Sequence, residues 1–260
     1  MRFLLAIVLA LAPMLAGAHE FWIDSDNWQV PPGAPLIASL RNGEEFKGVE
    51  LAYIPRRTTR FEVVQSGTAT PLSPRMGDRP AVNTPAAPGL AVIVHETAPS
   101  TLTYKDWDKW LRFTAHKDFP NPAAAHDARG LPRTGFTERY TRHAKALMAV
   151  GDGAGADAAT GMETEFIALT NPYTGADRIE VQLLYQGTPR PDAQVEVFAR
   201  APDGTVTVTT DTRTDAAGRA VIAVTPGFDY LLDAVVFRPG AEGAAWRTLW
   251  AALSFHVPAR

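Results

Sequence analysis

Short apolar runs, each closed by a turn dipeptide, recur along almost the whole chain and confine it to a mainly β fold. Early in the chain, Glu20–Ile23, Leu36–Leu40, Leu51–Ile54, Arg60–Val64 and Leu90–Val94 read as strands. Pro31-Pro32-Gly33, Asn42-Gly43, Gly77-Asp78 and Pro88-Gly89 divide them. After Glu163 the pattern resumes in Ile179–Tyr185, Ala193–Ala199, Thr205–Thr210, Arg219–Val224, Tyr230–Phe237 and Leu249–Val257, at the roughly 8–12-residue spacing of a sandwich. Meanders of this kind pack as stacked antiparallel sheets. The expectation is an N-terminal β-sandwich domain with a helical insertion over residues 19–162, then a small Ig-like β-sandwich over 163–260.

The middle third interrupts the strands. Trp107, Trp110 and Leu111 lie at helical spacing within Tyr104–Phe113, and Tyr140, Ala144, Leu147 and Met148 do so within Glu138–Val150, which predicts two helices. Between them, Phe119–Gly135 carries Pro120, Pro122, Gly130 and Pro132 and reads as an irregular loop. The Gly/Ala/Asp-rich stretch Gly151–Gly161 reads as a flexible loop or linker.

Residues 1–18 have a different character. Arg2, the apolar run Phe3–Leu15 and Ala16-Gly17-Ala18 make a secretory signal peptide with an A-x-A cleavage site, so the expectation is a periplasmic protein starting at His19. The apolar run is shorter than the ~20 residues that span a bilayer. The formal charge is −3 over the whole chain, and becomes −4 once Arg2 leaves with the leader. A mildly acidic chain lacks the basic field that nucleic-acid binding requires, which removes DNA and RNA as partners. Cysteine is absent, which excludes disulfides, thiolate metal sites and a Cys nucleophile.

Four motifs in order, His19-Glu20-Phe21-Trp22-Ile23, Glu138 to Leu147, Asn171-Pro172-Tyr173 and the closing Trp246 to Phe255, resemble a bacterial family of unknown function whose members carry a periplasmic nickel-uptake label. Residues 179–239 separately resemble transthyretin-like or carboxypeptidase-regulatory Ig-like modules through Gly187-x-Pro189, Ala193-x-Val195 and Thr214-Asp215-x-x-Gly218-Arg219. The resemblance implies a scaffold role for the C-terminal part. It also implies nickel as cargo, and an envelope metal transporter or outer-membrane receptor as partner.

Cleavage after Ala18 would give His19 two donors, its α-amine and its imidazole Nδ1, which close one chelate ring. A second histidine would complete a histidine brace, and three nitrogens favour Cu(II), then Ni(II). Five histidines compete for that second place. His95, read as a strand end, is the first choice, with a truncation expected to cost little stability. His116 at a helix end and His126 in the irregular loop follow, the former already explained by the helix C-terminus. His143, read as helical, and His256, in the last strand, rank lower. Glu20, Asp24, Asp26, Glu96, Asp106, Asp108, Asp118 and Asp127 offer carboxylates to orient a ring, although strand alternation turns Glu20 away from His19.

No G-x-S-x-G, H-E-x-x-H, Walker A or Rossmann motif is present, which disfavours hydrolase, kinase and dehydrogenase chemistry. The six tryptophans fit a core better than a sugar-binding face. The sequence therefore points to a periplasmic, non-catalytic protein that captures or hands over Cu(II) or Ni(II). The alternatives are an Ig-like envelope assembly protein without metal and a copper-dependent polysaccharide oxygenase.

Overall fold

A computed structural model describes residues 19–241 and 243–260. The expected signal peptide lies outside these residues. The strands they form make a ten-stranded sheet and two four-stranded sheets. The fold is mainly β and sandwich-like, as expected.

The spine of the large sheet is the strand Phe136–Val150, which runs parallel to Trp246–His256 with Glu138 opposite Trp246 and Leu147 opposite Phe255. On its other edge lie Ser100–Tyr104 and Gly89–Thr97, both antiparallel. The sheet continues outward through Asp229–Pro239 and Gln194–Arg200 on one side and Thr58–Gln65 on the other. It therefore crosses residue 162, and the two halves read from the sequence share one hydrogen-bonded layer.

Each face of this layer is covered by a smaller sheet. Glu20–Asp24 and Leu36–Glu44 contribute Phe21, Trp22, Leu36 and Ala38 to one core, where they meet Ala91, Ile93, Ala146, Met148 and Ala252. Thr164–Ala168 and Arg178–Tyr185 contribute Phe166, Ile179 and Val181 to the other core, against Leu90, Val92, Val94, Leu147 and Leu253. Successive residues of one strand thus feed opposite cores, the behaviour of a strand buried on both faces.

That burial corrects the helix expected at Glu138–Val150, which lies within the fifteen-residue strand Phe136–Val150. Its second half, Ala144 to Val150, is buried at every position, so the period-2 signature is erased and the apolar run mimics a helix. The other expected helix holds as Trp107–His116, capped by the Asp106 carboxylate accepting from Lys109 N at 3.1 Å. Together with a short helix at Pro122–Asp127, it packs Trp110 and Phe113 on Phe136, Phe237, Trp246 and Trp250.

Gly151–Gly161 is not a loose linker. Lys145, fully buried on the spine strand, donates to Asp157 and to the carbonyls of Ala158 and Phe166, while Glu165 accepts from the amides of Thr160 and Gly161. A buried ammonium needs such partners, and the irregular segment supplies them. Among the described residues no helix is long and apolar enough to cross a membrane.

Candidate functional site

His19 stands immediately before the strand Glu20–Asp24, whose register sets Glu20 opposite Gly43 and so brings His19 beside Glu44. The imidazole Nε2 lies 3.9 Å from Glu44 Oε1, and both side chains are open to solvent. Glu20, pointing the other way as strand alternation requires, is buried. Arg142 NH2 donates to the His19 carbonyl at 2.8 Å and holds the start of the strand against the spine.

A cavity of about 350 Å³ opens here, with His19, Tyr104, Glu138, Tyr140, Arg142 and Trp250 in its wall. The Arg142 guanidinium sits 4.8 Å from the Tyr140 ring and 5.6 Å from that of Trp250, and its Nε is buried without a hydrogen-bond partner. Burial pulls its pKa below the ordinary arginine value. At the back of the cavity the buried Glu138 carboxylate accepts from Tyr104 at 2.7 Å and from the Thr248 hydroxyl. Desolvation pushes the Glu138 carboxyl up, against these two hydrogen bonds.

Behind the strand lies a charged cluster that the sequence reading missed. Lys117 Nζ is 3.0 Å from Glu20 and 3.0 Å from Asp233, and also donates to Glu196. Burial opposes the Lys117 charge, but the Asp233, Glu196 and Glu20 carboxylates outweigh it and raise its pKa. Glu196 is pushed by burial to about 7, against the lowering pull of Lys117. These carboxylates are the one trio of potential metal ligands that converges among the described residues. The ammonium occupies their centre, so a metal there would have to displace a cation already matched to the site. Only hindsight connects the four residues, because they come from four elements and share no spacing.

The expected second ligands are dispersed. His95 is inside the strand Gly89–Thr97 rather than at its end, 2% exposed, packed between Phe21 and Phe61 with ring centroids 5.1 and 5.0 Å away. Its Nε2 lies 3.1 Å from Thr58 Oγ1, its Nδ1 is buried without a partner, and burial lowers its pKa to about 3. It is thus a core residue, and the expectation of a cheap truncation does not hold. His126 is buried on the short helix, where Nδ1 accepts from Trp246 Nε1 and Nε2 faces the Pro132 carbonyl, each at 3.0 Å. His116 ends its helix as expected and reaches Glu196 at 3.1 Å. His143 sits on the spine strand facing the Trp250 carbonyl, and His256 pairs with Asp229. Trp22, Trp28, Trp110, Trp246 and Trp250 are buried, in keeping with a core role.

Two further cavities flank this region. One, of about 840 Å³, has its buried and half-buried charges paired, Asp24 with Arg41 and Arg200 and Asp229 with Arg200 and His256, while the exposed Asp26 and Lys47 also line it. The other, of about 680 Å³, shares Asn42, Tyr140 and Arg142 with the cavity at His19 and reaches inward to His95.

Residues 16–237 match a family described as a domain of unknown function, DUF4198. No curated protein matches the chain. Among solved structures, a mutant Salmonella alpha-2-macroglobulin is similar at 14% identity and a TM-score of 0.21, with 90% of this chain and 14% of that one covered. The methylamine-reacted form of the same protein gives 12% identity and a TM-score of 0.21, with coverage of 92% and 15%. The chain spans about one seventh of that protein's length, and a similarity of this size carries no argument.

Proposed function

The chain belongs to the DUF4198 family, and from that footing we propose that it is an exported metal-capture protein, taking up Cu(II) or Ni(II) as cargo through His19 once residues 1–18 are removed. The observation that carries this reading is His19 Nε2 facing the Glu44 carboxylate, 3.9 Å away, on an open rim. A carboxylate beside Nε2 favours the tautomer with the proton on that nitrogen, which leaves the Nδ1 lone pair free. Nδ1 and the α-amine of the same residue are the pair that closes a chelate ring. Arg142, bonded to the His19 carbonyl, and Lys117, bonded to Glu20, would hold the ring's backbone in place.

Nitrogen donors favour copper by intrinsic affinity, while the resemblance to the nickel-labelled family favours nickel. The remaining positions would be taken by water, since Glu44 faces Nε2 and the buried His95 and His126 are engaged in the core. Such an open shell suits a carrier that must release its metal to an envelope transporter or receptor.

Calorimetric titration with Cu(II) and Ni(II) tests the reading on two proteins, one starting at His19 and one with a single extra residue before it. Loss of the amine should weaken binding at least about a hundredfold, or roughly 2.8 kcal/mol. Equal affinities would overturn the proposal.

A further inference from the structure

We propose that the cavity of about 680 Å³ between Arg142 and His95 binds a small organic anion with an apolar body, a medium-chain carboxylate in its simplest form. The charged residues in its wall are Arg57, Arg79 and Arg142, and no Asp or Glu lines it. In a chain with net charge −3 this is a local reversal of sign. Several arginines elsewhere meet carboxylates, among them Arg200 with Asp24 and Asp229, Arg219 with Glu180, and Arg247 with Glu163. Among the described residues Arg57, Arg79 and Arg142 meet none within 4.0 Å.

A second, independent feature points to a ligand. His95, 2% exposed, lines the same cavity, and its Nδ1 has no hydrogen-bond partner although Thr58 engages Nε2 at 3.1 Å. Leaving a buried polar atom unpaired costs about 1–3 kcal/mol, which a bound acceptor or donor would recover. The Arg142 Nε is a second such orphan, on a guanidinium already oriented by Tyr140 and Trp250. An Arg fork of this kind is preorganised for a carboxylate.

The rest of the wall sets the body of the ligand. Phe21, Leu40, Leu51 and Ile54 give it an apolar side, and the volume falls within the roughly 300–1,000 Å³ of small-molecule sites. A bare divalent cation is repelled by three arginines, so this site and the His19 site select opposite charges. The inference does not rest on the metal reading.

The test uses metal-free protein starting at His19, titrated calorimetrically with sodium octanoate and with octylammonium chloride, probes of equal body and opposite charge. Octanoate should bind stoichiometrically and at least about tenfold more tightly than octylammonium. Arg57→Gln plus Arg79→Gln, both at exposed positions, should weaken octanoate about tenfold with an unchanged melting temperature. The protein with an extra residue before His19 should bind octanoate as the native start does, so the two proposals fail separately. No octanoate binding at millimolar concentration, equal affinity for the two probes, or full affinity in the double variant would each overturn the site.

Discussion

The Lys117 ammonium lies 3.0 Å from the Glu20 carboxylate, tying the end of the helix Trp107–His116 to the residue that follows His19. Glu196 and Asp233 complete the shell, so one cation serves three buried anions. Lys117→Met should therefore destabilise the fold by about 3–5 kcal/mol, because it strands uncompensated carboxylates. Urea unfolding checks this. A loss under about 1 kcal/mol would mean that the trio tolerates the missing cation.

Glu44 should matter to the metal and not to the fold. Glu44→Gln removes the charge beside His19 Nε2, and the expected outcome is a Cu(II) affinity lower by about tenfold, typical of partners that orient a ligand. Both side chains are solvent-open, so the melting temperature should stay put. Unchanged affinity in the variant would show that Glu44 does not orient the ring.

His95 gives stability a pH dependence of defined sign. Its pKa falls from an ordinary 6.5 to about 3 on folding, so between these values the unfolded chain binds a proton that the native chain does not. Stability conferred by the neutral ring is present above pH 6.5 and is lost as pH falls toward 3. At pH 5.5 the loss should be about 1 kcal/mol. Glu196, raised from 4.5 to about 7, acts oppositely: its contribution is present below 4.5 and is lost as pH rises through 7. Comparing wild type with His95→Gln isolates the histidine; parallel stability–pH curves would contradict the assignment.

Asp157→Ala should release the segment Gly151–Gly161. It removes the carboxylate that accepts from Lys145 at 2.8 Å and from the Ala168 amide at 2.8 Å. Limited proteolysis should then cut within 151–161 in the variant well before wild type. Equal cleavage rates would show that the remaining contacts of Glu165 and Asn171 suffice to pin it.

The chain wrote its strands plainly wherever one face stays polar. Arg178–Tyr185 and Arg219–Ala223 alternate buried and more exposed residues along most of their lengths, and their bounds fall within a residue or so of those read from pattern. Legibility failed where a strand is enclosed on both sides. Ala144 to Val150 carries no alternation, so nothing local separates it from a helix. The same enclosure hid the true setting of His95, which reads as a strand terminus from its polar neighbour Glu96 yet lies between two phenylalanines. His19 is singled out only by the expected cleavage signature, and nothing in the sequence points to Glu44, because its proximity comes from the pairing register of two strands. The Lys117 cluster joins groups 79 to 116 positions apart, beyond the reach of any local motif.

The parallel pairing of Phe136–Val150 with Trp246–His256 also sets the order in which the molecule can be assembled. The Thr248 hydroxyl that caps Glu138 comes from 110 residues further along. Until Trp246–His256 pairs, the middle of the sheet is an unsatisfied edge and the buried Glu138 carboxylate is left to Tyr104 alone. Contacts of such long sequence separation slow folding and expose unpaired edges meanwhile. Removal of Trp246–His256 would therefore forfeit the centre of the fold rather than its margin, because both neighbouring strands would lose their partner.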